Sequence, residues 1–418
     1  MGKAVATKAA ARLLGTISTD DKNRALRQIA TVLRDREAEV LAANERDCQS
    51  AVRAAEQTGG DPLLDRLSLT SARVQAMARD VESVAELSDP IGEEIERTVR
   101  PNGLIVARRR VPFGVVGVVY ESRPNVTSDI AALCIKTGNG VLLRGGSEAL
   151  QSNLLIVDAI KQALKVVGLP PDAVALVGST DRDLVERMLK LREYIDVIIP
   201  RGGAGLIRFV VDNATVPVIE TGAGVCHTYI DQTADPEMAV RIAYNAKVRR
   251  PTICNALDTL LVHREIAPTW LPRIAEQWAT AGVEMRVDQA AAAVLTRAGI
   301  VHRPAVEQDW GHEFLALVAA VKVVENLDEA LAHIRQYGSG HSEAIVTRDD
   351  ASARRFVDDV DAAAVYVNAS TQFTDGAEFG LGAEVGISTQ KMHARGPMGL
   401  RELTTYKWVV QGTGQTRP

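Results

Sequence analysis

Apolar positions recur with a helical period over the N-terminal quarter of the chain and with a strand period beyond it. Thr19–Ala43 carries Leu26, Ile29, Leu33, Val40 and Leu41 at helical spacing. Thr70 or Ser71 stands where it can cap a further helix over Arg73–Leu87. Val5, Ala9, Leu13 and Leu14 repeat the pattern at the N-terminus. After Arg108, Arg109 and Arg110 comes Val115–Tyr120, too short and too rich in valine for a helix. Strands are then expected at Val115–Tyr120, Val141–Arg144, Ala173–Val177, Val197–Ile199, Val216–Ile219 and His227–Ile230. Helices are expected between them at Ser128–Lys136, Glu148–Val167, Asp181–Leu191 and Gly205–Asn213. A second series follows a break near Asp231–Glu237. Its strands are Leu257–Val262, Val321–Val324, Ala344–Thr347 and Val365–Asn368, and its helices Pro268–Ala281, Leu327–Tyr337 and Ala351–Val360. A last strand is expected at Tyr406–Val410. Strands separated by helices imply right-handed crossovers and mostly parallel sheets, so the fold class is α/β with two units in tandem.

A length of 418 residues agrees with two large domains, with or without a small appendage. Aromatic residues are scarce at 4%, which favours buried parallel strands over a β-sandwich. Lys and Arg are dispersed and the net charge is −5, so no nucleic-acid footprint is visible. No apolar run reaches the length of a membrane helix. The basic start, free of acids until Asp20, could belong to a transit peptide, but its period suits a first domain helix better. Cys48, Cys134, Cys226 and Cys254 form no C-x-x-C pair and no metal-ligand spacing, which points to reduced thiols in a cytoplasmic protein without a metal.

Two strand–glycine–helix turns suggest phosphate binding. Arg201-Gly-Gly-Ala-Gly-Leu contains Gly203-x-Gly205, but Arg208 stands where a dinucleotide fingerprint has its third glycine, and a plain strand-to-helix turn explains it equally well. Leu143-Arg-Gly-Gly-Ser-Glu has the same layout. The following helix would offer free N–H groups and Arg144 a bidentate guanidinium, the alternative being a surface Arg beside a flexible turn. Among the cysteines, Cys134 lies in an apolar stretch, Cys48 on a polar helix end, and Cys226 next to His227 on a strand, where neighbours face opposite ways. Cys254 follows Arg249-Arg-Pro-Thr-Ile in a loop, where guanidinium groups would favour a thiolate; a buried structural cysteine is the alternative.

The order of these segments resembles the aldehyde dehydrogenase superfamily over nearly the whole chain, and within it the γ-glutamyl phosphate reductases. The resemblance is carried by Pro112-Phe-Gly-Val-Val-Gly-Val-Val-Tyr-Glu-Ser-Arg-Pro-Asn-Val-Thr, Leu143-Arg-Gly-Gly-Ser-Glu, Ile199-Pro-Arg-Gly-Gly-Ala-Gly-Leu and Arg249-Arg-Pro-Thr-Ile-Cys-Asn. Val365-Tyr-Val-Asn-Ala-Ser, Phe379-Gly-Leu-Gly-Ala-Glu, Arg395-Gly-Pro-Met-Gly-Leu and Thr404-Thr-Tyr-Lys-Trp extend it. It implies an aldehyde dehydrogenase-like fold of two Rossmann-like α/β domains with a small oligomerisation β-flap. Residues 1–228 would bind NADP, with 98–111 in the flap; 229–387 would carry the nucleophile; 388–418 would return to the cofactor domain and flap.

The resemblance further implies Cys254 as nucleophile and the Asn125 amide, with the Cys254 N–H, as the oxyanion hole. Glu220 falls where hydrolytic relatives place a general base. Arg144, Gly145 and Ser147 would receive an NADPH 2′-phosphate, with Gly202 and Gly203 in the second glycine turn and Glu313 on the nicotinamide ribose. Arg123, Arg201, Arg249 and Arg395 are candidates for the substrate's α-carboxylate and phosphate. The implied reaction is NADPH-dependent reduction of L-glutamyl 5-phosphate to L-glutamate 5-semialdehyde, the second step of proline biosynthesis. A separate glutamate 5-kinase would supply the substrate, and a homo-oligomer would form through strands such as Leu104–Arg110 and Tyr406–Val410. Arg201-Gly-Gly replaces the Thr-Gly-Ser usual in the superfamily, and the nucleophile segment lacks the common Gly-Gln-x-Cys. The rival readings are an oxidative aldehyde dehydrogenase of a small acidic aldehyde and a non-catalytic scaffold.

Overall fold

A computed structural model of the chain describes residues 1–58, 64–181 and 183–417. Arg182, inside the expected helix Asp181–Leu191, and Pro418, the last residue of the expected C-terminal segment, lie outside the described residues. The chain divides into two compact units. The first is Met1–Thr221 with Gly380–Gly386 and Met398–Pro418; the second is Gly222–Phe379 with Ile387–Pro397.

The first unit opens with helices α1 (Gly2–Leu14), α2 (Thr19–Asp35), α3 (Glu37–Thr58), α4 (Leu64–Leu67) and α5 (Ser71–Glu86). Ser18 and Thr70 cap α2 and α5 by accepting the N–H groups of Asp21 and Arg73, which frees neither end to fray. Strands β1 (Glu94–Val99) and β2 (Ile105–Pro112) form an antiparallel pair. The α/β part follows as β3 (Val115–Tyr120), α6 (Asn125–Lys136), β4 (Gly140–Arg144), α7 (Leu150–Val166), β5 (Val174–Leu176), α8 (Asp183–Leu189), β6 (Val197–Arg201) and α9 (Ala204–Asn213). Its parallel sheet runs β5-β4-β3-β6. β3 and β4 are buried along their whole length, which explains their near-continuous apolar sequence. Strand order reverses between β3 and β6, and such a switch point opens a crevice at the strands' carboxyl ends.

The second unit comprises β7 (Cys226–Ile230), α10 (Pro236–Val248), β8 (Leu257–His263), α11 (Ala267–Thr280), β9 (Glu284–Val287), α12 (Gln289–Arg297), β10 (Arg303–Pro304), β11 (Val318–Val324), α13 (Leu327–Tyr337), β12 (Ser342–Val346), α14 (Asp350–Asp359) and β13 (Ala364–Val367). Its seven strands are all parallel, in the order β10-β9-β11-β8-β7-β12-β13. A short antiparallel pair, β14 (Ile387–Ser388) and β15 (Gly396–Pro397), belongs to the same unit. The chain then returns to the first unit, where β16 (Thr404–Gln411) pairs with β2 from Thr404↔Pro112 to Gln411↔Ile105, giving a ribbon of order β1-β2-β16.

Three expectations need correction. The strand expected at Val216–Ile219 is reduced to one bridge, Ile198↔Val218, because Pro217 has no N–H to extend a ladder. The break expected near Asp231–Glu237 ends earlier, and an unforeseen helix follows it: Pro236–Val248, started by Asp235, whose side chain accepts the Met238 N–H, with Pro236 at its first position. The domain boundary expected at 228/229 falls inside β7, which pairs with β8 and β12 of the second sheet; the units part at 221/222. Among the described residues no helix is long and apolar enough to cross a membrane.

The helical layer of the first unit holds a buried ion pair, Lys22 Nζ to Asp89 Oδ2 at 2.8 Å, with side chains 1% and 6% exposed. Asp89→Ala would leave the Lys22 ammonium buried without its counter-ion, and a loss of about 3–5 kcal/mol is expected. Urea unfolding measures it; a change under about 1 kcal/mol would show that water reaches the lysine.

Candidate active site

In the second unit the chain leaves α10 and makes a tight turn before β8, and Cys254 sits half-buried on that turn. The Ala256 N–H donates to the Ile253 carbonyl at 3.0 Å, closing a β-turn with Cys254 and Asn255 at its centre. The Cys254 carbonyl lies directly against Gly224: a Cβ there would fall on its oxygen and carbon, so only glycine fits. Cys226 Sγ lies 3.3 Å from the same oxygen. Asn255 secures the other side, with Nδ2 donating to the carbonyls of Gln372 (3.3 Å) and Thr374 (3.0 Å) while its own carbonyl accepts Thr371 Oγ1 at 2.7 Å. Gln372 Nε2 donates to the carbonyls of Ala246 and Arg250, and Arg249 reaches Gln372 Oε1 at 3.4 Å. The nucleophile candidate is therefore held from both flanks.

Beneath the turn lies Asp258, buried at the start of β8. It accepts the N–H groups of Phe314 (3.0 Å) and Cys226 (3.4 Å) and faces Lys247 Nζ at 3.8 Å. Burial pushes Asp258 up to about 7 and Lys247 down to about 8, while each partner's charge pulls the other back. Asp258 thus ties the segment carrying Glu313 to the strand carrying Cys226. Glu313 Oε1 accepts the Gly224 N–H at 2.9 Å, so Gly224 is held by its amide on one side and presses the Cys254 carbonyl on the other.

In the first unit Asn125 begins α6, and its Nδ2 donates to Asp129 Oδ2 at 2.9 Å, one helical turn on. One amide hydrogen is thereby engaged and the other is left to point elsewhere. Burial, with the Asp80 charge added, lifts Asp129 to about 7; Asn125, Ser128 and Arg201 pull it down. The turn between β3 and α6 is strained: Ser122 has φ 51, and its N–H and hydroxyl both donate to Glu148 Oε1.

Arg144 ends β4, is 9% exposed, and donates to the Gly145 carbonyl at 2.7 Å. A side chain on Gly145 would strike Asn153 and the Tyr120 ring. Ser147 is exposed at the head of the short turn into α7, and the Glu148 carboxylate is turned toward Ser122. At the second glycine turn the Gly203 N–H is taken by Glu121 Oε2 at 2.9 Å, and Gly202 presses on the same carboxylate. An anion at Gly202 and Gly203 would have to displace that acid, so this turn is a poorer phosphate site than its sequence suggests. Arg123, Arg201 and Glu220 are half-buried in this unit. Arg395, in the second unit, is paired with Asp361 at 2.7 Å.

The structure thus gathers Cys254, Glu313 and Arg249 in one unit, and Asn125, Glu220, Arg123, Arg144, Gly145, Ser147, Arg201, Gly202 and Gly203 in the other. Sequence reasoning missed Gly224, Cys226, Asp258 and Asp129. Gly224 had a signal in the close glycines of Thr221-Gly-Ala-Gly-Val, and Asp129 in its spacing from Asn125. Cys226 and Asp258 had none, since their roles arise from pairing of distant strands.

Comparison with known proteins agrees with this architecture. The chain belongs to the aldehyde dehydrogenase family, whose model matches residues 3–298 and 302–409. Its relatives define one branch, the gamma-glutamyl phosphate reductases. The chain is 54% identical over 416 residues to the gamma-glutamyl phosphate reductase of Dehalococcoides mccartyi strain CBDB1, covering 99% of this chain and 97% of that protein. It is 55% identical over 412 residues to that of Carboxydothermus hydrogenoformans, covering 98% and 97%. The crystal structure of the Thermotoga maritima gamma-glutamyl phosphate reductase superposes with a TM-score of 0.95 at 50% identity, covering 100% of this chain and 99% of that one.

Gly224→Ala should force the Cys254 carbonyl aside and slow alkylation of Cys254 by iodoacetamide, with turnover falling about 100-fold; unchanged alkylation would show that the contact yields without consequence. Asp129 has a raised pKa, so the folded protein binds its proton more tightly than the unfolded chain and loses stability as pH climbs from about 4 to about 7. Asp129→Asn should therefore gain stability relative to wild type between pH 4 and pH 8, measured by urea unfolding at both values. An advantage independent of pH would contradict the shift.

Proposed function

We propose that this chain reduces L-glutamyl 5-phosphate to L-glutamate 5-semialdehyde, releasing phosphate, through a thioester on Cys254 and with NADPH as reductant. The observation that carries the proposal is 54% identity to gamma-glutamyl phosphate reductases across 99% of the chain, with a half-buried cysteine on a turn whose carbonyl is fixed. The Cys254 thiolate attacks the acyl carbon, a carbon–sulfur bond forms, and the carbon–oxygen bond to phosphate breaks. Charge on the carbonyl oxygen is met by the Asn125 amide and the Cys254 N–H, each such donor being worth roughly 3–4 kcal/mol in other enzymes. The same donors serve again when the aldehyde leaves Cys254 and the thiolate is restored. The cations proposed for the substrate's phosphate and α-carboxylate are Arg123, Arg201 and Arg249, with Arg395 requiring release from Asp361.

Arg144, Gly145 and Ser147 fit NADPH: a buried guanidinium ends β4, the glycine admits no side chain, and the acid next in sequence to Ser147, Glu148, is bonded to Ser122. Glu313 is proposed for the nicotinamide ribose. When bound, NADPH supplies hydride to the acyl carbon. Glu220 is a structural carboxylate in this reading, because phosphate rather than water is the second reactant in the aldehyde-oxidising direction. A separate kinase must supply the labile acyl phosphate, and a reducing, cytoplasmic setting suits four reduced cysteines. The β1-β2-β16 ribbon, which exposes Tyr406, Trp408 and Val410, is the surface proposed for self-association.

Three measurements test the proposal. NADP⁺ reduction with glutamate semialdehyde should require phosphate; full turnover without it would favour a hydrolytic aldehyde dehydrogenase using Glu220. Cys254→Ala should abolish turnover while NADPH still binds, and activity surviving that change would end the thioester route. Arg144→Glu should weaken NADPH much more than NADH, as titrations of both cofactors would show; equal losses would remove the 2′-phosphate from Arg144.

A further inference from the structure

The reaction as derived leaves the buried thiol of Cys226 unused. Cys226 opens β7 with no exposure to solvent, and its Sγ stands 3.3 Å from the Cys254 carbonyl oxygen. That carbonyl belongs to the central peptide of the 253–256 turn. The central peptide of a β-turn has two orientations, types I and II, which differ by a flip of this carbonyl. Type II needs positive φ at the third residue, and asparagine is among the few side chains that tolerate it. Asn255 occupies that position, and it is not among the residues with positive φ. A flip is therefore within reach of this turn, and something must select the orientation seen.

We infer that Cys226 is a positioning residue for the reaction: its S–H, donated to the Cys254 carbonyl, holds the Cys254–Asn255 peptide in one orientation and so fixes the backbone that carries the nucleophile. The inference rests on Cys254 being that nucleophile. Gly224 supplies the space into which the carbonyl points, and Cys226 supplies the hydrogen-bond donor. The thiol is held protonated by its burial and by the negative charges of Asp258, Glu343, Cys254 and Glu313, so it acts as donor and not as a second nucleophile. Its other neighbour is His341 Nδ1 at 3.9 Å, a ring that burial keeps neutral by lowering it to about 4. His341 Nδ1 is 2.8 Å from Ser342 Oγ, which is 2.6 Å from Thr374 Oγ1, which is 2.7 Å from Tyr366 Oη. A line of hydrogen-bonding groups thus backs Cys226 on the side away from the Cys254 carbonyl.

The test compares Cys226→Ala with Cys226→Ser by phosphate-dependent turnover and by the rate of Cys254 alkylation with iodoacetamide. Loss of one weak neutral donor should lower kcat and the alkylation rate of Cys226→Ala about three- to tenfold, with little change in KM. Cys226→Ser keeps a donor and should recover at least half of the wild-type values. Cys226→Val, which fills the space without a donor, should behave as Cys226→Ala and guards against a variant that fails to fold. Wild-type kinetics in Cys226→Ala or Cys226→Val, or a serine variant as slow as the alanine one, would overturn the inference. Failure of the wider reading looks different: Cys254→Ala would then retain turnover whatever stands at 226.

Discussion

One contact governs the setting of the proposed nucleophile: the Cys254 carbonyl lying on the bare Cα of Gly224. Because no Cβ can occupy that space, the peptide after the cysteine has a fixed place to rest, and neighbouring groups are arranged around it. Glu313 holds the Gly224 amide, Asp258 holds the amides on either side of the site, and Asn255 laces the turn to the segment at 371–374. Precision of this kind is what a covalent mechanism needs, since an acyl group must be accepted and returned along nearly the same line. The turn carries the sulfur, but the parallel sheet determines where the turn stands.

The buried charges follow a common logic. Asp258 and Asp129 are both lifted toward neutrality by burial, yet each accepts a hydrogen bond from a group next to the proposed chemistry: backbone amides for Asp258, the Asn125 side chain for Asp129. A carboxylate is costly in such places, and it is retained where several donors must be aimed at once. Lys247 offsets part of that cost beside the Cys254 turn, where it also donates to the Leu257 carbonyl.

The sequence was most informative where burial makes its pattern simple. β3, and β4 up to Arg144, are apolar and lie where their valines and leucines predict, and α13 spans Leu327–Tyr337 as its period indicates. The pattern misled where a backbone property outweighed composition. Val216–Ile219 is apolar enough for a strand, but Pro217 denies it a ladder. Pro236–Val248 was hidden by the polar residues before it, although Asp235 and Pro236 make a sound helix start. β7 was assigned to the preceding sheet because adjacency in sequence was taken for adjacency in space, and its actual partners begin at Leu257 and Glu343. Cys254 could be singled out from its arginine-rich approach, and Gly224 left a trace in its closely spaced glycines; Cys226 could not be found, because the pairing of β7 with β8 brings it there.

The return of the chain into the first unit has a consequence for its synthesis. β2 needs β16 along eight paired positions, and Asn139, at the foot of β4, gives its amide to the Leu403 carbonyl. The N-terminal unit is thus finished by residues translated after the second sheet. While the ribosome is still making the second sheet, one edge of β2 stands bare, a strand edge able to pair with any neighbour. Of the charges along it, Arg108 and Arg110 are offset by Glu96 and Glu93, which leaves Arg109 to discourage pairing between nascent chains until the closing strand is made.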